Sequence, residues 1–275
     1  MKIVCFNVNG IRARLHQIEE VISTLSPDVI AIQEVKAQDS DFPFAEIKKY
    51  GYHCETFGQK GHYGVAFLSK KPPVKIQRGF PFDVEDAQKR LITGYFLSDT
   101  NEEFILVNGY FPQGDSRSHE WKFPYKQKFY SDLSSWLQQS FDPTQNIVVM
   151  GDFNIASTDA DIGIGEANAK RWLKTGKCSF LPEEREWFQT LLDFGLTDAF
   201  RHLNPAEEHC LNVGKLSWFD YRSKGFDDEP KRGLRIDGFL VSSPLVPKIT
   251  AVDISYEIRA MDKPSDHAPL WIDFQ

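Results

Sequence analysis

Eight short apolar runs, spread along the whole chain, constrain the fold more than any other feature of the sequence. They lie at 3–8, 29–32, 64–68, 91–97, 104–107, 147–150, 236–241 and 270–274. Near-continuous apolar runs of this length are typical of β-strands that are covered on both faces. The sequence therefore predicts a protein built on buried β-sheets.

Amphipathic helices are predicted between some of these runs. Apolar residues follow the spacing of one helix face at 18–25 and again at 129–137. A third helix is expected to begin at Pro182, which two acids follow, and to end before Gly195. The chain has 275 residues and contains neither an internal repeat nor a Gly/Ser linker. We therefore predict one α/β layered domain over 1–275.

Composition restricts the class of protein further. Hydrophobic residues make up 41% of the chain and charged residues 26%, which is ordinary for a globular domain. No apolar run approaches the roughly 20 residues that a membrane span requires, and residues 1–7 lack the layout of a signal peptide. We expect a cytoplasmic protein without a membrane partner.

Four cysteines occur outside any C-x-x-C pair, which favours free thiols over a zinc site; they are Cys5, Cys54, Cys178 and Cys210.

Polar side chains that can bind a metal or move protons stand at the ends of six apolar runs. Each has an ordinary alternative: a surface carboxylate, a turn residue, or an Asx hydrogen bond. Six strand ends with this residue set exceed what turn chemistry requires, and strand ends on a rigid scaffold are common places for catalysis. The pattern predicts a metal-assisted phosphoryl-transfer site on one rim of the sheets. The residues are Asn7, Asn9, Glu34, Asn108, Tyr110, Asp152, Asn154, Asp237, Asp266 and His267.

Basic residues are clustered, although the net charge is −7. For any single residue a solvated surface position is the simpler explanation, but as a set they suit phosphate contacts that give affinity without reading sequence. The first cluster contains no acid and consists of Lys170, Arg171, Lys174 and Lys177. The second cluster is diluted by acids at 227–229 and consists of Arg222, Lys224, Lys231, Arg232 and Arg235. Four further candidates are scattered: Lys60, His62, Arg90 and Arg117.

Six segments resemble the exonuclease III family, within the exonuclease–endonuclease–phosphatase superfamily. They are FNVNG at 6–10, QEVK at 33–36, NGYFP at 108–112, GDFN at 151–154, LRID at 234–237 and SDHAP at 265–269. Stretches at 58–64, 110–117, 161–186 and 217–228 extend the resemblance over essentially the whole chain. It implies a DNase I-like four-layer α/β sandwich, in which two mostly antiparallel β-sheets are packed together and flanked by helices.

The resemblance also implies roles for the residues at the rim. Glu34 is expected to be the main metal carboxylate, with Asn7, Asn9 and Asp266 beside the metal. Mg²⁺ is the expected ion, with Mn²⁺ as a substitute. Asp152 is expected to orient or deprotonate water, Asn154 to position the phosphate, and Tyr110 to stabilise the leaving oxygen. His267 is expected to pair with Asp237 and to contact the scissile phosphate.

The implied activity is DNA repair: cleavage of the backbone 5′ to abasic sites, 3′-to-5′ degradation of duplex DNA and removal of 3′ phosphates. The implied partner is duplex DNA with abasic sites or 3′ ends, bound by a monomer. One of Trp218 and Phe219 could belong to the core, but the resemblance implies that Trp218 and Leu234 form a pocket for a flipped, base-free sugar. The stretch from Ala206 to Lys215 is longer than in bacterial exonuclease III. The expected DNA contacts are Lys60, Arg90, Arg117, Lys170, Arg171, Lys177, Trp218, Phe219, Arg222, Lys224 and Leu234.

Two alternatives stay open at this point. One is another enzyme of the superfamily: an inositol-phosphate phosphatase, a sphingomyelinase-like lipase or a secreted DNase I-like nuclease. The lack of a signal peptide and of paired cysteines disfavours secretion, and the Trp218 segment favours duplex DNA. The other is a DNA-binding protein without catalytic activity. Such a protein would have no need for the combination of Glu34, Asp152, Asp237, Asp266 and His267.

Overall fold

A computed structural model describes residues 1–206 and 214–275. The described chain forms twelve strands and seven helices. The strands are β1 (Lys2–Asn7), β2 (Val29–Gln33), β3 (His53–Phe57), β4 (Val65–Ser69), β5 (Lys75–Arg78), β6 (Leu91–Leu97), β7 (Glu103–Tyr110), β8 (Ile147–Asp152), β9 (Leu196–Asp198), β10 (Asp237–Ser242), β11 (Ile249–Ile254) and β12 (Leu270–Phe274). The helices are α1 (Leu15–Leu25), α2 (Phe44–Lys48), α3 (Lys122–Ser140), α4 (Glu166–Thr175), α5 (Pro182–Asp193), α6 (Ala199–Leu203) and α7 (Tyr256–Arg259).

The strands form two six-stranded sheets with the orders β11-β12-β1-β2-β4-β3 and β5-β6-β7-β8-β10-β9. β1 pairs with β2 and β7 pairs with β8 in parallel, and the other neighbours pair antiparallel. The predicted sandwich of two mostly antiparallel sheets flanked by helices is confirmed. In the two parallel pairs, Asn7 lies opposite Gln33 and Tyr110 opposite Asp152. The carboxyl ends of these four strands therefore lie at the rim, and the amino end of β10 joins them there, since Asp237 lies opposite Asp152.

Apolar side chains from the facing sides of the two sheets form the central core, which includes Phe67, Phe96, Met150, Phe239 and Leu270. Separate apolar layers lie beneath α1 on one outer face and beneath α3 and α5 on the other. This arrangement covers both faces of the central strands, as their continuous apolar runs predict.

A polar bridge joins the sheets just below the rim. The side-chain amide of Asn108 on β7 donates to the carbonyl oxygens of Ile32 and Ala66 in the other sheet, over 3.0 Å each. Its own oxygen accepts from Gln33 Nε2 at 2.6 Å. Asn108 and Gln33 are completely buried. Because buried amides need all their partners, this bridge fixes how the two sheets align beneath the site.

The eight predicted strands are confirmed as β1, β2, β4, β6, β7, β8, β10 and β12. The four that sequence reasoning missed, β3, β5, β9 and β11, are the edge strands of the two sheets. Edge strands are covered less completely and carry more polar residues, so they show no continuous apolar run. The three predicted helices are confirmed as α1, α3 and α5, and Gly195 follows the end of α5 with a φ of 106°.

Cys5, Cys54 and Cys178 are free thiols, while Cys210 lies outside the described residues. Most of the Ala206–Lys215 stretch also lies outside them. Among the residues that the structure describes, no helix combines the length and the apolar character that crossing a bilayer requires.

Candidate active site

Seven of the ten predicted polar residues line a cleft of about 290 Å³ at one rim of the sandwich. Three of the ten lie within two residues of a strand end and have left-handed backbone: Glu34 and Asn154 both have a φ of 53°, and Asn9 has a φ of 45°. Such conformations are costly for residues other than glycine and are concentrated at functional sites. The cleft is lined by Asn7, Glu34, Tyr110, Gln113, Asp152, Asn154, Trp172, Lys177, Ser179, Trp218, Leu234, Ile236, Asp266 and His267.

Asp237 and His267 form a buried pair at the base of the cleft. His267 Nδ1 lies 2.9 Å from Asp237 Oδ2, and Ser217 Oγ donates to the same oxygen at 2.6 Å. Burial alone would lower the pKa of His267. The charges of Asp237 and Asp152 outweigh that effect and raise this pKa to about 10. His267 is therefore an imidazolium at neutral pH, with Nε2 free of Asp237.

Asp152 lies between this pair and the open cleft. Its Oδ2 is 3.8 Å from His267 Nε2 and accepts from the Asn7 side-chain amide at 2.9 Å. Its Oδ1 accepts from the backbone N–H of Asn154 at 2.9 Å. Burial, assisted by the charges of Asp237 and Glu34, raises the pKa of Asp152 to about 8 against the opposing effect of His267. A carboxylate with such a pKa can accept a proton near neutral pH.

Gly151 allows Asp152 to reach this position. A side chain at Gly151 would place its Cβ 1.8 Å from the carbonyl oxygen of Gly109 on the neighbouring strand. The φ of Gly151 is 143°, a value that other residues rarely adopt. Glycine at position 151 is thus required by the close approach of β7 and β8.

Glu34 and Tyr110 form the other wall of the cleft. Tyr110 OH donates to Glu34 Oε1 at 2.6 Å, and Lys36 Nζ lies 3.6 Å from the same oxygen. Burial and the negative charge of Glu34 hold the pKa of Tyr110 well above its usual value, so the phenol keeps its proton. Tyr110 is therefore available as a hydrogen-bond donor to a negatively charged oxygen.

Asn9 and Trp218 both bind Asp266. The Asn9 amide donates to Asp266 Oδ1 at 2.8 Å, and Trp218 Nε1 donates to Oδ2 at 3.0 Å. The side-chain oxygen of Asn9 accepts from Lys36. Because the side-chain oxygen of Asn9 accepts from a cationic ammonium group, the contacts favour a supporting role for Asn9 beside Asp266.

The donor set around the cleft suits a hard divalent cation. Glu34, Asp266 and Asn7 offer oxygen atoms at one end, and oxygen ligands are those that Mg²⁺ prefers. Asp152, Asp237 and His267 can each offer one ligand atom, all within 4.8 Å of one another. His267 already pairs with Asp237 and is cationic, which makes this second group the poorer metal site.

Nine of the eleven predicted DNA contacts fall into three structural groups. Lys177, Trp218 and Leu234 line the cleft itself. Lys177 Nζ lies 3.8 Å from the centre of the Trp172 ring. Arg117 is exposed but is held by Glu183, with an Nε–Oε1 distance of 2.5 Å. Five others are exposed on the surface: Lys60, Lys170, Arg171, Arg222 and Lys224.

Two predicted contacts and one further basic residue are buried away from the cleft, and their expected roles need correction. Phe219 is 0% exposed and packs against Phe226 and Tyr256, so it belongs to the core. Arg90 lies beneath Tyr110, donates to its carbonyl oxygen at 2.9 Å and stacks 4.1 Å from the Tyr63 ring centre. Arg235 is also buried, since it pairs with two acids rather than facing solvent.

Sequence reasoning missed several residues of the cleft. Trp172 stacks on Phe180, with ring centres 5.6 Å apart, and projects from the basic helix α4 into the cleft. Gln113, Ser179 and Ile236 complete the wall, and Ser217 supports Asp237 from behind. The sequence offered one signal for Trp172, which is an aromatic residue within the basic cluster at 170–177. Nothing in the sequence distinguished Ser217.

Comparison with known proteins agrees with this geometry. The Endonuclease/Exonuclease/phosphatase family model matches residues 4–267. The chain belongs to this family. It is 56% identical to exodeoxyribonuclease III of Haemophilus influenzae, and the match covers all of both chains. The family predicted from the sequence is confirmed.

Two solved structures of this family extend the comparison. An AP endonuclease from Archaeoglobus fulgidus aligns over 100% of this chain and 99% of its own, with a TM-score of 0.87 and 31% identity. The 3′ phosphatase NExo from Neisseria, bound to a product DNA hairpin, aligns over 100% and 99%, with a TM-score of 0.86 and 33% identity. The chain is thus a full-length homologue of exodeoxyribonuclease III with the fold of these nucleases.

Proposed function

We propose that this protein is a DNA-repair phosphodiesterase. It would hydrolyse the DNA backbone 5′ to abasic sites, degrade duplex DNA from 3′ ends and remove 3′ phosphates. The observation that carries the proposal is the meeting of Glu34, Asp152 and the Asp237–His267 pair in one cleft, beside the indole of Trp218. The names of its full-length homologues support the same class of activity.

Asp152 is the candidate general base. A phosphodiester carries negative charge that repels a nucleophile, so the attacking water must lose a proton as it approaches. The raised pKa of Asp152, about 8, suits that transfer near neutral pH. Asn7 and the Asn154 N–H hold one oxygen each, which leaves the carboxylate in a fixed orientation.

His267 is the candidate phosphate-binding cation. Asp237 occupies Nδ1 and keeps the ring protonated, so Nε2–H can donate to a non-bridging phosphate oxygen. Tyr110 also keeps its proton, and its O–H, which donates to Glu34 in the structure, would turn to the leaving oxygen as a second donor. The His267 donor is fixed by its buried partner Asp237 before substrate arrives, which is the requirement for electrostatic stabilisation of a transition state.

Glu34, with Asp266 and Asn7, is the candidate site for Mg²⁺, for which Mn²⁺ would substitute. The bound ion would neutralise charge on the phosphate and the leaving oxygen. Tyr110 and Lys36 hold the Glu34 carboxylate from the protein side, and Asn9 and Trp218 hold Asp266.

Trp218 and Leu234 are the candidate wall for a base-free sugar. The half-buried indole and the buried Leu234 side chain form an apolar surface next to the acids. A pocket of this kind would reject an intact nucleotide by size, and flipping costs least where no base pair exists. Lys177 and the exposed basic residues would bind the flanking phosphates of double-stranded DNA, and we expect the 275-residue chain to act as a single-domain monomer.

A side-by-side rate comparison tests the proposal. Three duplexes are needed, one with an abasic site, one blunt and one with a 3′ phosphate, together with an inositol phosphate, all with Mg²⁺. We expect cleavage of the DNA substrates, loss of activity with EDTA and recovery with Mg²⁺ or Mn²⁺. Hydrolysis of the inositol phosphate alone, or DNA binding without cleavage at any metal concentration, would refute it.

A further inference from the structure

Helix α3 holds the turn that carries Asp152 and Asn154 from behind. Lys126 Nζ donates to the carbonyl oxygen of Asn154 at 2.9 Å, and Tyr130 OH donates to that of Phe153 at 2.6 Å. The two donors are four residues apart and therefore lie on one face of the helix. Both side chains are buried, and neither lines the cleft. We call these two hydrogen bonds the α3 contacts.

The Phe153–Asn154 peptide unit links the α3 contacts to Asp152. Its carbonyl oxygen accepts from Tyr130, and its N–H donates to Asp152 Oδ1 at 2.9 Å. Because a peptide unit is planar, fixing its carbonyl also fixes the direction of its N–H. Asn154 has a φ of 53°, a conformation that needs outside support to persist. Lys126 supplies that support on the next carbonyl.

Lys126 also connects this turn to two other parts of the cleft wall. It pairs with Glu184 at 2.6 Å and donates to the carbonyl oxygen of Gln113 at 3.3 Å. Glu184 in turn accepts from the backbone N–H of Ser179 at 2.8 Å. Gln113, Asn154 and Ser179 all line the cleft. One buried ammonium group therefore sets the relative position of three segments of the site.

Stability alone does not account for a charged pair at this place. Lys126 and Glu184 are both 0% exposed, and a well-packed apolar pair generally stabilises a core as well as a buried ion pair does. The geometry points to another role: we propose that Lys126 and Tyr130 are positioning residues, which hold the Asp152 carboxylate in its reactive orientation through the Phe153–Asn154 peptide. This inference rests on the proposed phosphodiesterase function.

The test compares the chemical step with DNA binding in Tyr130→Phe, Lys126→Met and a matched control, Lys128→Met. Lys128 lies on the same helix and pairs with Asp132 at an exposed position. Single-turnover cleavage of a duplex with a stable abasic analogue is measured with Mg²⁺, and its Kd is measured without metal. We expect Lys126→Met to lower the cleavage rate by roughly ten- to a hundredfold, as displacement of a reacting group does. Tyr130→Phe should lower it by about threefold or more, while Kd and the control stay within about twofold.

Two further variants separate positioning from mere loss of stability. Lys126→Met with Glu184→Gln removes the unpaired buried charge, so it should recover thermal stability but not the cleavage rate. In an Asp152→Asn background, Lys126→Met should cause little additional loss, because both changes act through the same carboxylate. Full rate in Tyr130→Phe and in the double variant would overturn the inference, as would fully additive losses. If the unmodified protein does not cleave the duplex at all, the proposed function fails and this inference fails with it.

Discussion

His267 Nδ1 lies 2.9 Å from Asp237 Oδ2, and both side chains are almost completely buried. This contact decides the charge of the site, since Asp237 keeps His267 protonated against the cost of burial. The protonated ring then lies 3.8 Å from Asp152, and its charge partly offsets the burial that raises the Asp152 pKa. One buried pair therefore tunes both the candidate base and the candidate phosphate donor.

Replacing Asp237 with Asn is expected to move the high-pH limit of activity. The pKa of His267 is about 10 in the folded protein, so its charge is present below that pH and lost above it. Without the Asp237 charge, the effect of burial is less fully opposed and the pKa of His267 falls. The kcat/KM profile on a stable abasic analogue should then decline at lower pH than in the unmodified protein. An unchanged declining limb would show that His267 does not act as the cation.

Replacing Glu34 with Gln tests the metal assignment. The amide removes the negative charge that would hold Mg²⁺ while keeping the size of the side chain and an acceptor for Tyr110. We expect turnover to fall by well over about tenfold and half-maximal activity to need more Mg²⁺. Asn9→Ala serves as the comparison and should have the smaller effect, since the Asn9 oxygen already accepts from the cationic Lys36. Equal metal dependence in Glu34→Gln and the unmodified protein would contradict the assignment.

Lys177→Ala is expected to weaken DNA binding and to flatten its salt dependence. A lysine that neutralises one phosphate contributes about one unit to the slope of log Kd against log salt concentration. Lys177 lies at the cleft, whereas Lys71 is an exposed lysine next to the opposite end of β4 and provides the matched control. Binding titrations of both variants at several salt concentrations make the comparison. Identical slopes for the two variants would exclude Lys177 from the phosphate contacts.

Asp161 should be important for stability rather than for chemistry. Burial would raise its pKa, but Arg235 and Arg201 outweigh burial and lower the pKa to about 2. The stabilisation is therefore complete above the unfolded value near 4 and lost as pH falls toward 2. Asp161→Asn should lower the free energy of unfolding by about 3–5 kcal/mol at pH 7, because two arginines lose a buried partner. Urea unfolding should show the deficit shrinking between about pH 4 and pH 2. A deficit independent of pH would contradict the ion-pair explanation.

The central strands and most of the rim could be predicted from the sequence because burial on both faces leaves continuous apolar runs. Polar residues such as Glu34 and Asp152 stand out against such runs. The edge strands β3, β5, β9 and β11 lacked that contrast. The type of a residue indicates its chemistry but not the direction of its side chain. For this reason the DNA contacts expected from the sequence include Phe219 and Arg90. Tertiary packing buries Phe219 against Phe226 and places Arg90 beneath Tyr110.

The contacts behind the site could not be predicted from the sequence, for a different reason. Lys126 and Glu184 are 58 residues apart and meet only in the folded chain. Ser217 reaches Asp237 across 20 residues. Lysine, glutamate and serine occur at many exposed positions, so nothing in their local sequence distinguishes these buried partners from ordinary surface residues.

Turnover of a duplex with a stable abasic analogue by Asp152→Asn tests the central claim most directly. The amide keeps the shape of the side chain but cannot accept the proton of the attacking water. We expect a folded protein with DNA affinity close to normal and a rate lower by about a hundredfold or more. In the unmodified protein the rate should rise with pH as Asp152 ionises, because burial raises the pKa of this carboxyl, and the variant should lack that rise. A folded Asp152→Asn protein with near-normal turnover and the same pH profile would contradict the account.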